Sequence, residues 1–260
     1  MFTNVASLLK IAGDDLVLLF KNSPGFYVET QDAAALALSG ERTADLNFAV
    51  IAAGPDTERC LLKFFEITRK LSVPCMFLVE NAGDENVVVV AERAGLILGG
   101  TVPLMVCEAN LPAVTSPAVT IRRASTTLEL AGAQQLISKT FSLPLNNVET
   151  VFCERLMAQP DIDIFVAFRG EKPVCTVQTT RSGSMAGIWC MATDPDHQRQ
   201  GLGRATLLYA MQQVVDRGIE SFYLVATDAG RPLYQSVGFQ KMANFTVWLS
   251  GESSQVSSGH

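Results

Sequence analysis

The segment that most constrains the fold is residues 187–205, GIWCMATDPDHQRQGLGRA. A strand-like apolar run ends near Thr193, a polar loop follows, and the run Gly201-Leu202-Gly203 opens an amphipathic helix. Glycine lets the backbone approach an anion closely, and the first N–H groups of a helix have no partner within it. Together with the positive end of the helix dipole, these donors predict a phosphate-binding loop, which Arg199 and Arg204 flank.

Two familiar phosphate loops do not fit this segment. A Walker A loop requires Gly-Lys-Ser/Thr, but Gly203 is followed by Arg204-Ala205. A dinucleotide fingerprint places G-x-G-x-x-G directly after the strand, whereas here Thr206 stands at the third glycine and the loop is too long. Taken alone, a G-x-G also fits a loop whose glycines only permit a tight turn.

The sequence around the loop predicts alternating strands and helices, and therefore an α/β (α+β) architecture. Strands are predicted at residues 119–122, 162–168, 173–179, 186–193, 221–225 and 246–249. Helices are predicted at residues 126–141, 145–157, 203–216 and 231–237. Asn146 or Asn147 is the expected N-cap of the second of these helices.

The first half of the chain repeats the end of the second half in weaker form. Residues 47–52 (NFAVIA) resemble residues 187–192, and residues 75–79 (CMFLV) resemble residues 221–225. The interval between the paired segments is shorter in the first half, and the shortfall lies where the second half carries its glycine loop. Such a repeat predicts two related modules, although two unrelated α/β segments could look alike by chance.

The linker-like run LPAVTSP at 111–117 gives the domain boundary between these modules. It predicts domains at residues 1–112 and 113–250. The remaining residues, 251–260, form a polar tail that is predicted to be disordered.

Charge and histidine content exclude several function classes. Lys+Arg number 20 against 26 Asp+Glu, for a net charge of −6, which disfavours a nucleic-acid partner. The chain has only two histidines, His197 and His260, so multi-histidine zinc sites are excluded and no metal is predicted. A Ser/His/Asp hydrolase would have to use His197.

Cysteine usage and hydropathy predict a soluble cytoplasmic protein. Six cysteines stand among apolar neighbours without a C-x-x-C pair, as expected for buried reduced thiols. The first residues lack the pattern of a signal peptide, and no apolar run approaches the ~20 residues of a membrane span. We therefore expect no membrane partner.

Residues 198–203, QRQGLG, resemble the acetyl-CoA signature Gln/Arg-x-x-Gly-x-Gly/Ala of the GNAT superfamily of N-acetyltransferases. Upstream, residues 191–195 (MATDP) resemble the end of the family's fourth strand. Downstream, residues 222–225, 229–234 (AGRPLY) and 237–239 (VGF) resemble its fifth strand, the following helix and a Gly-Phe turn. The resemblance covers roughly residues 118–250. It implies the GNAT fold, a mixed and mostly antiparallel central sheet flanked by helices, here in two tandem modules.

The resemblance also implies acetyl-CoA as co-substrate and a set of residues that bind it. The backbone of Met191 and Thr193 would pair with the pantetheine arm, and Asp228 stands where the family often has an asparagine that contacts the cofactor. Amides from Arg199 to Arg204 would hold the pyrophosphate. The implied binding residues are Met191, Ala192, Thr193, Gln198, Arg199, Gln200, Gly201, Leu202, Gly203, Arg204, Ala205 and Asp228.

Tyr234 matches the family's tyrosine that protonates the leaving thiolate, and this role is favoured over the alternative of a core aromatic in the short helix. Residues 54–59 (GPDTER) in the first half have no glycine pair, so that half would be a degenerate module that binds no acetyl-CoA. The implied activity is transfer of acetyl directly to an amine of an unidentified small molecule or peptide. The alternative is a non-catalytic acyl-CoA-binding regulatory module, and a third hypothesis is an interaction protein that uses neither half. Whether the protein forms a homodimer stays an open question.

Direct attack on a thioester requires a neutral amine. A lysine-like amine with a pKa of ~10.4 is neutral about once in 2,500 at pH 7, a cost near ~4.6 kcal/mol, whereas an α-amine costs only about 1 kcal/mol. The predicted strand 186–193 has no carboxylate that could act as a base. Candidates elsewhere are Glu149, Glu154, Asp194 and His197, and the sequence does not decide among them.

Overall fold

The computed structural model describes residues 4–80, 85–113 and 119–251. Its helices are α1 (Val5–Phe20), α2 (Thr57–Leu71), α3 (Glu85–Ala94), α4 (Thr127–Phe141), α5 (Leu145–Val151), α6 (Glu154–Met157), α7 (Leu202–Val215) and α8 (Arg231–Val237). Its strands are β1 (Tyr27–Gln31), β2 (Ala34–Leu38), β3 (Asn47–Ile51), β4 (Cys75–Glu80), β5 (Ile97–Glu108), β6 (Thr120–Arg123), β7 (Ile162–Arg169), β8 (Lys172–Ser182), β9 (Met185–Thr193), β10 (Ser221–Val225) and β11 (Gln240–Ser250). Short 3-10 helices lie at Ala44–Leu46 and Pro195–His197. The predicted tail after residue 251, with His260, and most of the predicted linker lie outside the described residues.

One predicted helix, residues 145–157, is wrong, because the structure divides it into α5 and α6. Phe152 leaves the helical region (φ −89°, ψ 51°), and its carbonyl accepts a hydrogen bond from Gln134 Nε2 at 2.8 Å. Pro144, rather than either asparagine, occupies the N-cap position of α5, and Asn147 Oδ1 instead accepts from Asn146 Nδ2. The break lets both Phe152 and Leu156 reach the core.

The chain forms two compact units, and the first comprises residues up to Leu104 together with those from Lys241 onward. Its strands follow the order β1-β2-β3-β4-β11, and the first part of β5 lies beside β11. The first three are antiparallel to one another, β3 and β4 are parallel, and β11 is antiparallel to β4 with Trp248 opposite Phe77. Trp248, Phe77 and Phe64 are fully buried at the centre of this unit.

The second unit, Met105–Gln240, repeats this arrangement. Its strands follow the order β10-β9-β8-β7-β6, in which β7, β8 and β9 are antiparallel and β9 and β10 are parallel. Helix α7 packs Leu207 and Met211 against Val177, Ile188 and Phe222 of the sheet. The order of three antiparallel strands, a helix and a parallel strand is thus common to both units, as the sequence repeat predicts.

The two compact units differ from the domains predicted at residues 1–112 and 113–250, and the main difference is the position of strand β11. It comes at the end of the second half of the sequence but pairs with β4 in the first unit. In turn, the end of β5 contributes Met105 and Cys107 to the core of the second unit. The sequence-based division into modules stays a prediction.

None of the helices in the described residues is both long enough and apolar enough to cross a membrane. All six cysteines are free thiols, of which only Cys153 and Cys190 are partly exposed.

Candidate functional site

The glycine loop leads into α7 through two residues in the left-handed region. Arg199 has φ 58°, and Gly201, the N-cap of α7, has φ 76°. The first backbone hydrogen bond of the helix runs from the Ala205 N–H to the Gly201 carbonyl at 3.0 Å. The N–H groups of residues 202–204 therefore have no partner within the helix. Successive backbone N–H groups beside left-handed residues are a common arrangement for binding anions, and residues 198–201 of this loop are exposed to solvent.

Side chains of the loop hold this backbone in place. A left-handed conformation costs a residue other than glycine about 1–2 kcal/mol, so Arg199 needs support from its neighbours. Gln200 Oε1 accepts a hydrogen bond from Arg169 of β7 at 2.9 Å, and Gln198 Nε2 donates to the Thr193 carbonyl at 3.4 Å. Both predicted glutamines thus bind the protein itself, and the structure assigns their side chains a supporting part.

Asp194 anchors the start of the same loop. Its buried carboxylate lies 2.7 Å from Lys139 Nζ, 3.2 Å from Lys172 Nζ and 3.4 Å from His197 Nδ1. It also accepts the Asp196 N–H, which caps the 3-10 helix Pro195–His197. The hydrogen bond from Lys139 is the main reason that the pKa of Asp194 lies well below its usual range. A carboxylate held in this way is a poor base, so we remove Asp194 from the candidate bases.

Asp194→Asn is expected to lower the free energy of unfolding by about 1–3 kcal/mol at pH 7, because Lys139 and Lys172 each lose their charged hydrogen-bond partner. Both ammonium groups are about half exposed, so solvent keeps the loss within this range. A carboxyl whose pKa is lowered by folding stabilises above its unfolded pKa of about 4, and this contribution is lost as the pH falls further. Thermal unfolding of both proteins from pH 7 to pH 3 checks this. The two stability curves should converge below about pH 4, and a constant difference would contradict the assignment.

A β-bulge lies in β9 at the end that faces the loop. Thr176 is opposite Ala192 and Gln178 is opposite Trp189, so two residues of β9, Cys190 and Met191, face one residue of β8. Cys190 takes φ 48°. A bulge bends the strand and disrupts the regular ladder at that point.

On its other side, β9 separates from β10. The parallel pairing covers only three residue pairs, from Met185 with Ser221 to Gly187 with Tyr223, although β9 continues to Thr193. In the described structure, the β10-facing edge of β9 beyond Gly187 is therefore not paired with β10. Unpaired backbone N–H and C=O groups at a strand edge can bind an extended ligand as an additional strand would.

Gly203 is the point where the loop, β9 and α8 meet. A Cβ atom built on Gly203 would lie 3.3 Å from Leu233 Cδ2 and 3.4 Å from both Met191 Cε and Thr193 Oγ1. Larger residues would have to displace these neighbours. The structure thus brings three of the predicted binding residues together, Met191, Thr193 and Gly203.

Tyr234 lies on α8, beside the bulge. Its side chain is 8% exposed and packs edge-on against Phe239, with ring centroids 5.8 Å apart. Burial, with the nearby Cys190 and Cys175 thiols, raises the pKa of Tyr234 well above its usual value. A Cβ atom on Gly230 would lie 2.9 Å from Tyr234 Cε2, so the glycine allows the ring to take this position. The hydroxyl therefore remains protonated near the open edge of β9 at neutral pH.

The other predicted residues are placed less directly. Ala192 and Ala205 are buried, so only their backbones could contact a ligand. The Asp228 carboxylate is 83% exposed and lies 3.5 Å from Arg231. Burial raises the pKa of the Cys190 thiol to about 12, which makes it a poor nucleophile. Sequence reasoning missed Lys139, Lys172 and Arg169, which support the loop.

The corresponding turn of the first unit, between β3 and α2, is closed by the protein's own groups. The Gly54 N–H donates to Thr57 Oγ1 at 2.8 Å, and the Ala53 N–H donates to Glu80 Oε2 at 2.9 Å. A carboxylate and a hydroxyl of the protein thus bind the N–H groups at the start of this turn. Across the described ranges, no group of three or more histidine, cysteine or acidic residues is placed to hold a metal ion.

Sequence comparison relates the second unit, which carries the glycine loop, to a known protein family. A family model described as an acetyltransferase (GNAT) domain matches residues 160–241. The ribosomal protein bS18-alanine N-acetyltransferase of Escherichia coli strain K12 is 33% identical over 92 aligned positions, and the match covers 30% of this chain and 62% of the relative. The chain thus spans about 62% of the length of the curated relatives that it matches.

Solved structures extend the likeness to the whole chain. A GCN5-related N-acetyltransferase from Kribbella flavida aligns with a TM-score of 0.71 at 18% identity, over 96% of this chain and 97% of that one. A tandem GNAT protein from the clavulanic acid biosynthesis pathway aligns with a TM-score of 0.59 at 12% identity, over 96% and 94%. At 18% and 12% identity, this structural likeness shows that the fold is shared and does not by itself show a shared function. The chain has the fold of the GCN5-related N-acetyltransferases, and its residues 160–241 match the family model of the GNAT acetyltransferase domain.

Proposed function

We propose that this protein is an N-acetyltransferase that transfers the acetyl group of acetyl-CoA to an amine, and that the second unit carries the activity. The observation that supports this most strongly is a juxtaposition within that unit. The anion loop before α7 and the open edge of β9 meet at Met191 and Gly203, and Tyr234 lies close to Cys190 of the same bulge. Each of the three features suits a different part of one molecule, acetyl-CoA.

The chain's own groups fit acetyl-CoA in chemical type. The N–H groups of residues 202–204, with Arg199 and Arg204, are donors for a pyrophosphate. The open edge of β9, from the bulge to Thr193, offers backbone partners to the amide groups of the pantetheine arm. Acetyl-CoA supplies a thioester, whose carbonyl carbon the acceptor amine attacks directly. No nucleophilic side chain is then required, in agreement with the raised pKa of the Cys190 thiol.

Tyr234 would serve as the proton donor to the departing sulfur. A thiol has a pKa near ~8.5 and a tyrosine near ~10, and burial raises the pKa of Tyr234 further. Full transfer of the proton is therefore uphill. A hydrogen bond that strengthens as charge develops on sulfur avoids most of that cost.

The acceptor would be an amine that is readily neutral at pH 7. Asp194 is held by two lysines, so its carboxylate is not free to remove a proton. An α-amine, with a pKa of ~7.7–8.0, needs little help to lose its proton, whereas a lysine-like amine needs a great deal. The E. coli relative is named for acetylating an alanine of ribosomal protein bS18, which supports an α-amine here.

The test of this function is release of CoA thiol on addition of acetyl-CoA and a panel of amines. We expect release that depends on the acceptor and a product heavier by one acetyl group. If acetyl-CoA binds without turnover on any amine, the alternative of a non-catalytic acyl-CoA-binding regulatory module replaces the enzyme.

The first unit would bind no acetyl-CoA, because Glu80 and Thr57 already bind the N–H groups of its turn. We therefore expect calorimetric titration to give one acetyl-CoA per chain. Glu80→Gln removes the carboxylate charge and serves as a control, which should leave the stoichiometry at one. Two sites per chain in the wild type would contradict this division of labour between the units.

A further inference from the structure

Three arginines of the second unit surround one buried carboxylate, that of Asp163. Its Oδ2 lies 2.7 Å from Arg217 Nη1 and 3.8 Å from Arg181 Nε, and its Oδ1 contacts Arg123 Nε. The carboxylate itself is fully buried. We call Asp163, Arg123, Arg181 and Arg217 the arginine cluster.

The arginine cluster lies at the end of the sheet away from the glycine loop. Arg123 is the last residue of β6, Asp163 is the second residue of β7, and Arg217 follows the end of α7. Helix α7 begins at the loop and has 14 residues, so its two ends are about 21 Å apart. The cluster is therefore separate from the proposed acetyl-CoA site.

The ion pairs of the arginine cluster leave a surplus of positive charge. Asp163 supplies one negative charge to three guanidinium groups, and Asp161, which is half exposed, supplies a second at 3.7 Å from Arg181 Nη2. Two arginines would balance these two carboxylates, so the third is in excess. By contrast, Arg122 on the same strand has a carboxylate of its own, that of Glu129 at 2.5 Å.

Two of the three guanidinium groups are reached from solvent without any opening of the fold. The side chains of Arg123 and Arg217 are 43% and 37% exposed, although both contact the buried carboxylate. A guanidinium group has five N–H donors, and the contact with Asp163 uses one from each arginine. The Asp216 carboxylate, next to Arg217 in the sequence, accepts instead from Gln212 Nε2 at 2.8 Å. An anion in solution can therefore approach both arginines at their outer sides.

Arg181 adds positive charge behind this pair. Its side chain is 18% exposed, and its Nη2 donates to the Pro160 carbonyl. In the described structure its Nε is buried without a hydrogen-bond partner. A charge that is shielded from water acts on an anion more strongly than an exposed charge does. Arg181 therefore favours an anion at the two more exposed arginines.

We infer that the arginine cluster is a second anion site, which binds the phosphate group of a phosphate monoester at Arg123 and Arg217. One guanidinium group binds both oxygens of a carboxylate as a fork, so a carboxylate is satisfied by a single arginine. A phosphate group has a third terminal oxygen, so two arginines can share it, and its charge of up to −2 offsets the surplus. Inorganic phosphate has the same chemistry, and the experiment separates it from a phosphorylated molecule.

The experiment is calorimetric titration at pH 8 with inorganic phosphate, phenyl phosphate and benzoate. At this pH both phosphates are mainly dianions, whereas benzoate is a planar monoanion. We expect the wild type to bind phenyl phosphate at least about tenfold more tightly than benzoate, because only a phosphate engages both arginines. Tighter binding of phenyl phosphate than of inorganic phosphate assigns the site to a phosphorylated molecule, and equal or weaker binding assigns it to free phosphate.

Arg123→Gln and Arg217→Gln should each weaken the binding of phenyl phosphate about tenfold, as expected for loss of a charged hydrogen bond. Each variant leaves Asp163 in contact with the other arginine, so the fold should persist. Arg122→Gln is the matched control, because Arg122 is 47% exposed on the same strand but pairs with Glu129. It loses the same charge and should bind phenyl phosphate as the wild type does. Any phosphate bound at the glycine loop contributes equally in all these proteins.

Arg217→Lys decides the matter if the glutamine variants unfold. Lysine keeps a positive charge beside Asp163 but lacks the planar fork of arginine. This variant should unfold at the wild-type temperature and still bind phenyl phosphate more weakly than the wild type. Wild-type affinity in the folded variants of Arg123 and Arg217, or a wild type that binds benzoate as tightly as phenyl phosphate, would overturn the inference. None of these measurements requires acetyl-CoA or turnover, so the proposed function is tested separately.

Discussion

Replacing Tyr234 with phenylalanine is expected to lower kcat about 100-fold or more while leaving the affinity for acetyl-CoA nearly unchanged. The expected loss is that of a positioned proton donor, which contributes about 10²–10⁴-fold. Phenylalanine keeps the edge-on packing against Phe239, so the fold and the cofactor site should persist. Single-turnover kinetics and calorimetry measure the two quantities separately.

Tyr209→Phe is the matched control for this variant, because Tyr209 packs edge-on against Phe165 in the same unit and has no part in the proposed reaction. It should retain the wild-type kcat. Since burial raises the pKa of Tyr234, the wild-type enzyme should also keep its donor protonated up to pH 10. Unchanged turnover in Tyr234→Phe would remove the hydroxyl from the mechanism and leave Tyr234 as a core aromatic.

The double variant Gly201→Glu/Gly203→Glu is expected to weaken acetyl-CoA binding by about 100-fold or more. Gly201 has φ 76°, which costs other L-residues about 1–2 kcal/mol. A side chain at Gly203 would displace Met191, Thr193 or Leu233. Two carboxylates beside the loop would also repel a pyrophosphate.

Gly54→Glu provides the comparison for this double variant. Gly54 lies in the corresponding turn of the first unit, and a Cβ atom there would meet nothing within 4 Å. Titration of both variants with acetyl-CoA should therefore show loss of binding in the double variant alone. Wild-type affinity in the double variant would place the pyrophosphate elsewhere.

Sequence signals located the elements whose ends are fixed by local chemistry. The helix predicted at residues 126–141 matches α4 because Thr126 and Glu129 form a reciprocal capping box. Residues 231–237 match α8 because Pro232 stands in its first turn and Gly238 closes it with φ 112°. The glycine loop was predictable for the same reason, since its residues carry the left-handed backbone themselves.

Features that depend on distant partners were not predictable. Nothing local in Cys190 signals φ 48°, which arises from the register of β9 against β8. Lys139 and Asp194 are 55 residues apart and meet only because α4 and the loop are brought together. The pairing of β11 with β4 likewise joins segments about 175 residues apart in the sequence, and no pattern in either strand specifies its partner.

Hydrogen exchange of the backbone amides with and without acetyl-CoA reports on the proposed site itself, because acetyl-CoA is expected to bind particular N–H groups. Acetyl-CoA should slow exchange in residues 189–193 and 199–204 of the second unit, and should leave residues 52–59 of the first unit unchanged. Slowed exchange at residues 52–59, or no change at 199–204 under saturating acetyl-CoA, would contradict this account of the site.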